Sequence, residues 1–437
     1  MLSDLGQCVE AAAAAADNCA RRGDVNGANV ANLVHLRAAC ALQRVVKALS
    51  TRAVGLARRS LSSAAPQLLA LATRFVVQCG AQLVDAVVAR RVAPDARTVT
   101  LYETGSKLAR RLLRCAVVDL NAAQTLLSDE LDRVASFVGH LNALRELGGD
   151  GSPHTVAVRV CALACKLATE CIEQRGAEFA ACSAAYVRAA YALLEAASDG
   201  DAESAATTRA MLLLCAVVDS PVVRESPSVA PLVSVDPLAQ LVELLVTRYY
   251  PLRDSELVAW RDEPETFFAE QDTDYGLATP RSTAKSLTVK SLRALPTLAA
   301  PIAAMLQRLA MQANAARASA NSGAAQFEAA RALDACYALA GVAAFELHDH
   351  VDFGSWFRSQ LAPTLEVATT NDGCVALLQR RVLWLLSDWL NDVDATLRAP
   401  LCAALTTLVA SESSDLVVRL TAVLTLRACK LHSHWLR

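Results

Sequence analysis

Residues 411–428 read SESSDLVVRLTAVLTLRA. The run is too charged for a membrane span and too apolar for an ordinary surface helix. Asp415 stands where a helix N-cap or first-turn residue belongs, where a carboxylate accepts from free backbone amides and complements the helix dipole. Behind it, Leu416, Leu420, Val423 and Leu424 form one apolar stripe, and Val418, Ala422 and Leu426 form a second. A helix with two stripes must be covered on two sides. Arg419, near the helix start, is expected to reach the aspartate of a neighbouring helix rather than water.

The same grammar recurs upstream. Arg381 is followed by Val382, Leu385 and Leu386, as Arg419 is followed by Leu420, Val423 and Leu424. The second helices of successive hairpins are predicted near 324–347, 373–391 and 414–430. Two-helix repeats of about 40–47 residues are the HEAT/armadillo signature, and no single repeat of this kind buries its own stripe. The aspartate, the arginine and an alanine three residues on also resemble the HEAT consensus. The expected fold is therefore all-α, a HEAT/ARM-type α-solenoid, a right-handed superhelix of helix hairpins. Breaks at RRGDVNGAN (21–29), RRVAPDA (90–96), LGGDGSPH (147–154), ASDGDAES (197–204) and SPVVRESPSVAP (220–231) supply the turn residues that separate helices. The expected organisation is helical repeats over 1–232 and HEAT-like repeats over 233–437, the latter containing an acidic loop segment around 254–285.

Composition agrees. Of 437 residues, 54% are hydrophobic but only 5% aromatic, a mixture of alanine, leucine and valine that suits close helix packing. The mean hydropathy is +0.30, yet a spanning helix needs about 20 consecutive apolar residues. ACYALAGVAAF (335–345) stops at Glu346, and LPTLAAPIAAML (295–306) is broken by Pro296 and Pro301. No basic stretch followed by an apolar core opens the chain, so no secretory signal is read, and no membrane insertion is expected. The 14 cysteines are scattered singly along helical segments. Cys161, Cys165 and Cys171, with Cys182, come nearest to a cluster, but they lack the paired spacing of a zinc site and read as small core residues.

Net charge is −2, which argues against a nucleic-acid surface, as does the scarcity of aromatics beside basic residues. The charge is unevenly placed. Residues 37–60 hold Arg37, Arg44, Lys47, Arg52, Arg58 and Arg59 with no acid, which reads as a solvated helix face. Residues 254–275 hold eight acids against Arg261; either a partner surface or plain solvation fits. Asp262, Glu263 and Glu265 are the partner-binding candidates. Neither GxGxxG nor GxxxxGK[ST] occurs, and no serine lies in a GxSxG elbow. In ELHDHVDF (346–353), His348, Asp349, His350 and Asp352 are competent ligands, but alternate residues on a helix diverge by about 200°. His432 and His434 share that difficulty. No catalytic residue, cofactor or metal is expected. Trp356, Trp384 and Trp389 read as core.

Two further stretches carry a resemblance. VTRYYPLRDSELVAWRDEPETFF (246–268) is similar to a pattern of the importin-11 family through Tyr249, Leu252, Glu256, Leu257, Trp260, Glu263, Pro264, Glu265 and Phe267. AGVAAFELHDHVDFGSWFRSQLAPTLE (340–366), RRVLWLLSDWL, TLRAPL (396–401) and DLVVRL (415–420) continue it in order. Phe345 stands at the family's tyrosine, and LAMQANAARASANSGAAQFEAA (309–330) reads as an insertion. The resemblance implies a nuclear transport receptor of the importin-β (karyopherin) superfamily that shuttles between nucleus and cytoplasm through the nuclear pore. Its implied partners are protein cargo, the Ran GTPase and FG nucleoporins. The family's N-terminal repeats that bind Ran are not found, so the chain reads as a central fragment without the main Ran site. A HEAT-repeat scaffold subunit of a stable complex unrelated to transport is the alternative.

Overall fold

The computed structural model describes residues 2–51, 56–147, 149, 151–198, 203–272, 279–366 and 373–431. Among them every regular element is helical. The chain divides into two units, Met1–Val233 and Ser234–Arg437.

In the first unit the long helices are α1 (Leu2–Arg21), α2 (Val25–Thr51), α3 (Leu56–Arg74, continued by helical pieces to Ala89), α4 (Ala96–Arg114), α5 (Gln124–Val138), α6 (Pro153–Ala196) and α7 (Ser204–Asp219). Arg175, at φ −144° and ψ 36°, breaks α6 into two halves. The helices form two layers. One contains α2, α4, the first half of α6 and α7. Arg97 bonds His35 at 3.1 Å, and Arg111 Nη1 donates to Gln43 O at 3.2 Å, so α2 and α4 run parallel. Arg110 meets Glu170 at 2.7 Å and Arg159 meets Glu103, which aligns α4 with α6 in the same sense. His154 bonds Glu203 at 2.7 Å, where α7 begins. The other layer is tied by Arg74–Glu10 at 3.4 Å, Arg133 Nη2 to Val76 O at 3.1 Å, and Tyr186 Oη to Leu127 O at 3.3 Å. By length and composition alone, the run Arg58–Ala89 is apolar enough to cross a bilayer. It was not singled out from the sequence. Here it packs against α1, α4 and α5, and its close approach to α4 is made at Gly105, where an added Cβ would lie 2.8 Å from Phe75.

The second unit opens with α8 (Val235–Leu244) and continues through α9 (Asp254–Asp262), α10 (Pro264–Asp272), α11 (Pro280–Ala294), α12 (Ala299–Ser319) and α13 (Gly323–Val342). Short pieces between Phe353 and Glu366 precede α14 (Gly373–Trp389), α15 (Ala395–Ala410) and α16 (Leu416–Leu431). The hairpins α12–α13, 353–366 with α14, and α15–α16 follow one another. Their second helices α13, α14 and α16 stack side by side, close to the spans the periodicity predicts. Residues 309–330 are the end of α12, a serine-capped turn and the start of α13.

Charge joins these helices inside the stack. Arg381 grips the Asp334 carboxylate with two bonds, at 2.7 and 3.1 Å, both side chains buried. One repeat further on, Thr425 Oγ1 donates to Leu383 O at 2.8 Å. Trp389 Nε1 donates to Ala340 O at 3.1 Å and is core, while Trp356 and Trp384 are only half-buried.

Two expectations for the quoted helix need correction. Among the described residues Arg419 reaches no neighbouring aspartate; its Nε donates to Val409 O at 3.2 Å. That carbonyl belongs to the last turn of α15, where carbonyls lack helical partners, so Arg419 caps the preceding helix. Of the two predicted stripes, the one through Val418 and Ala422 is buried, whereas Leu416, Leu420 and Leu424 of the other are only half-buried. Val417, Val418, Thr421, Ala422, Thr425 and Cys429 are buried, whereas Val423 is 47% exposed. Periodicity alone misses Thr421 and Thr425 because threonine enters the core once its hydroxyl bonds a carbonyl, as Thr421 does to Val417 O at 2.7 Å. All 14 cysteines are free thiols, and burial pushes Cys165 and Cys336 up to about 12.

Burial pushes the Asp334 carboxyl upward, but attraction to Arg381 and the bonds it donates outweigh this and hold it below its usual value. A depressed folded-state pKa stabilises above the unfolded value and is lost as pH falls through the folded one. Stability therefore declines on acidification below about pH 4. Asp334→Ala, which strands Arg381, is expected to cost about 3–5 kcal/mol in urea denaturation and to flatten that acid limb. An unchanged midpoint would show that the pair does not hold α13 to α14.

Candidate partner-binding surface

The acidic stretch is not a loop. It forms α9 and α10, and residues 280–285 belong to α11; residues 273–278, Asp274 among them, lie outside the described residues. Local chemistry explains the helices. Glu256 accepts from Arg253 N at 2.8 Å in a capping interaction, and Pro264 and Pro280 open α10 and α11. Glu263, at φ −137° and ψ 59°, makes the elbow between α9 and α10.

This two-helix arm lies across α11, α13, α14 and α16, fastened at four places. Arg281 of α11 pairs with Glu256 and donates to Pro251 O at 3.0 Å. Arg331 of α13 pairs with Asp254 at 3.1 Å and also bonds Leu252 O. Arg380 of α14 is buried facing two rings, 5.5 Å from the Trp260 centroid and 5.4 Å from that of Phe267, which stand 5.2 Å from each other. Finally, Trp260 Nε1 donates to both oxygens of Asp415 at 3.2 and 3.1 Å. The same carboxylate accepts from Val417 N at 2.9 Å and Val418 N at 3.3 Å. Asp415 is thus the expected N-cap of α16 and also the far anchor of the arm. Burial, then the neighbouring Arg381, pull the Arg380 pKa down, with Asp334 opposing. Aromatic faces supply part of the missing solvation for such a cation.

The sequence candidates Asp262, Glu263 and Glu265 cluster at the elbow, all exposed. Asp262 is salt-bridged to Arg261 at 2.9 Å, which holds its carboxyl below the usual range. The arm therefore has an aromatic underside and an acidic outer edge. Sequence reasoning singled out the acids and missed the clamp of Trp260, Phe267, Arg380 and Asp415. The signal available was two large aromatics inside an otherwise acidic stretch.

Other clusters have different roles. Glu130, fully buried, accepts from Tyr102 Oη at 2.5 Å and Ser106 Oγ at 3.0 Å and lies 3.5 Å from Arg133. Burial raises its pKa, and Arg133 opposes the rise. His348 lies 3.2 Å from Asp392, His350 is exposed, and Asp352 caps the helix at Phe353 through Ser355 N at 3.0 Å. Among the described residues no three His, Cys, Asp or Glu side chains gather as a metal site. His432 and His434 lie outside the described residues.

No protein-family model matches the chain. Importin-11 of Mus musculus and of Homo sapiens are each 32% identical to it over 196 residues, 44% of this chain and 18% of the relative. The chain carries an importin-11-like segment. The similarity thus spans under one fifth of the length of these relatives and agrees with the family resemblance read from the sequence. The exportin Cse1 in its cargo-free, cytoplasmic state aligns with 100% of this chain and 57% of its own, at 10% identity and a TM-score of 0.49.

Trp260→Ala removes both the wall over Arg380 and the bond to Asp415, and is expected to cost about 3 kcal/mol in urea denaturation. Trp260→Phe keeps an aromatic face toward Arg380 but loses the pyrrole ring with its N–H bond, at about 1 kcal/mol or slightly more. Equal losses would mean that Asp415, not the stacking on Arg380, holds the arm.

Proposed function

We propose that this chain is a segment of a nuclear transport receptor that binds protein cargo and takes part in Ran-regulated import through the nuclear pore, without catalysing a reaction. The carrying observation is 32% identity to importin-11 over 196 residues, in a chain that folds as stacked helix hairpins. Stacks of this kind contact only their neighbours, so small rotations between repeats add up along the array. Cargo and GTP-loaded Ran favouring different curvatures are then coupled reciprocally. FG nucleoporins would enter between neighbouring helices. The chain would shuttle between nucleus and cytoplasm.

The exposed elbow of the arm, with Asp262, Glu263 and Glu265, is the proposed cargo contact. Its carboxylates point to a basic segment of the cargo, and its aromatic underside fixes where they stand. Reversing all three to lysine is expected to weaken binding of a basic cargo peptide by about tenfold, chiefly through slower association. Unchanged affinity removes the elbow from the cargo surface.

The transport reading itself is tested in permeabilised cells supplied with Ran and GTP. The fluorescently tagged chain is expected to collect at the nuclear envelope and to enter nuclei faster than an inert protein of equal mass. Entry at the inert rate, with stable recovery in one cytoplasmic complex, would favour the scaffold alternative.

A further inference from the structure

The layer of the first unit that contains α2, α4, the first half of α6 and α7 segregates charge. Helix α2 carries Arg37, Arg44 and Lys47 and no acid. Helix α4 carries Arg97, Lys107, Arg110, Arg111 and Arg114 against Glu103, and Glu103 is already held by Lys107 at 2.7 Å and by Arg159. The focus lies where α4, α6 and α7 meet. Arg110 takes Glu170 at 2.7 Å, while Arg111 turns to the backbone at Gln43 O. Among the described residues, Arg114, Lys166 and Arg209 have no carboxylate at salt-bridge distance. Among the described residues, Glu170, on Arg110, is therefore the one carboxylate at salt-bridge distance from any of these five cations. Burial first, then Arg110 and Arg209, lower the Lys166 pKa, and Glu170 only partly opposes them. The Arg110 Nε is buried without a hydrogen-bond partner.

We infer that the cluster Arg110, Arg111, Arg114, Lys166 and Arg209 is a binding site for an acidic, extended segment of a partner protein. Neighbouring packed helices lie about 8–10 Å apart, and an extended peptide advances about 3.3 Å per residue. Carboxylates on every second or third residue of such a peptide meet successive parallel helices. Guanidinium groups suit them, because the planar fork takes a carboxylate with two bonds. Nucleic acid carries the same sign of charge but favours stacking platforms. The aromatic residue of α4, Tyr102, is fully buried, and α2 and α7 contain no Phe, Tyr or Trp. Glu170 then acts as an internal competitor, occupying Arg110 until a partner carboxylate replaces it. The inference does not depend on the transport reading, since it concerns a surface charge balance outside the arm.

Fluorescence polarisation of a labelled polyglutamate peptide with the full chain tests it. The peptide is expected to bind, and to bind less well as salt rises. Lys166→Gln with Arg209→Gln should weaken binding by about tenfold or more, whereas Lys166→Arg with Arg209→Lys should retain it. Glu170→Gln should tighten it several-fold, which a merely structural role for Glu170 would not do. Should the glutamine pair lose its helical circular dichroism, Arg114→Gln alone supplies the comparison. Absence of peptide binding at low salt, indifference to these changes, or preferred binding of oligo(dT) would overturn the assignment. None of these outcomes alters the expected nuclear entry.

Discussion

Each hairpin in these stacks carries apolar surface on two sides, and only its neighbours along the layer can cover it. That constraint sets the rest of the structure. A helix such as α14 is apolar nearly all round because α13, α16 and its own hairpin partner surround it. Polar groups at those seams must then find partners inside the protein, since water does not reach them. Arg381 finds Asp334, Trp389 finds a carbonyl of α13, and Thr425 finds a carbonyl of α14. A buried ion pair adds little net stability over a well-packed apolar pair. It does penalise every misregistered stacking in which one charge is left alone.

The arm α9–α10 follows from the same constraint at right angles to it. Side-by-side contacts control each helix relative to the next, but nothing in them ties the first helix of a layer to the fourth. The arm touches α11, α13, α14 and α16 in turn through Arg281, Arg331, Arg380 and Asp415. It fixes those four positions relative to one another more firmly than nearest-neighbour packing would. Three of the four fastenings are arginines, whose long stems pack while the guanidinium serves carboxylates, carbonyls or rings. Lysine would not present a planar guanidinium to the Trp260 and Phe267 rings.

The fold was legible because it repeats. The arginine-led pattern at 381 and 419 marked the hairpins, and turn residues marked their ends. The role of Asp415 as a cap was also plain, since it depends on residues two and three positions away. Its second role was hidden, because Trp260 lies 155 positions distant and nothing in either local sequence names the other. Arg419 shows the opposite error. Its resemblance to Arg381 suggested a similar aspartate partner, but a nearer carbonyl at the end of α15 satisfied it first. The acidic stretch was misread as a loop because its charge resembles solvated sequence, although Pro264, Pro280 and the Glu256 cap were visible helix starts.

The division of charge follows from what each surface must tolerate. In the arm, the carboxylates stand at an exposed elbow, so their mutual repulsion is screened within about 8–10 Å at ordinary ionic strength. In the first unit's layer of α2, α4, α6 and α7, Arg110 and Lys166 are partly withdrawn from water, where repulsion is screened far less. Such an arrangement is costly unless an anion relieves it, and Glu170 relieves one cation of the five. A fold that needed these positions only for packing could fill them with leucine or methionine at similar volume and without that cost. The retained cations therefore make most physical sense when a second set of carboxylates arrives from outside, and the energy of uncompensated charge in the free chain becomes part of the driving force for binding.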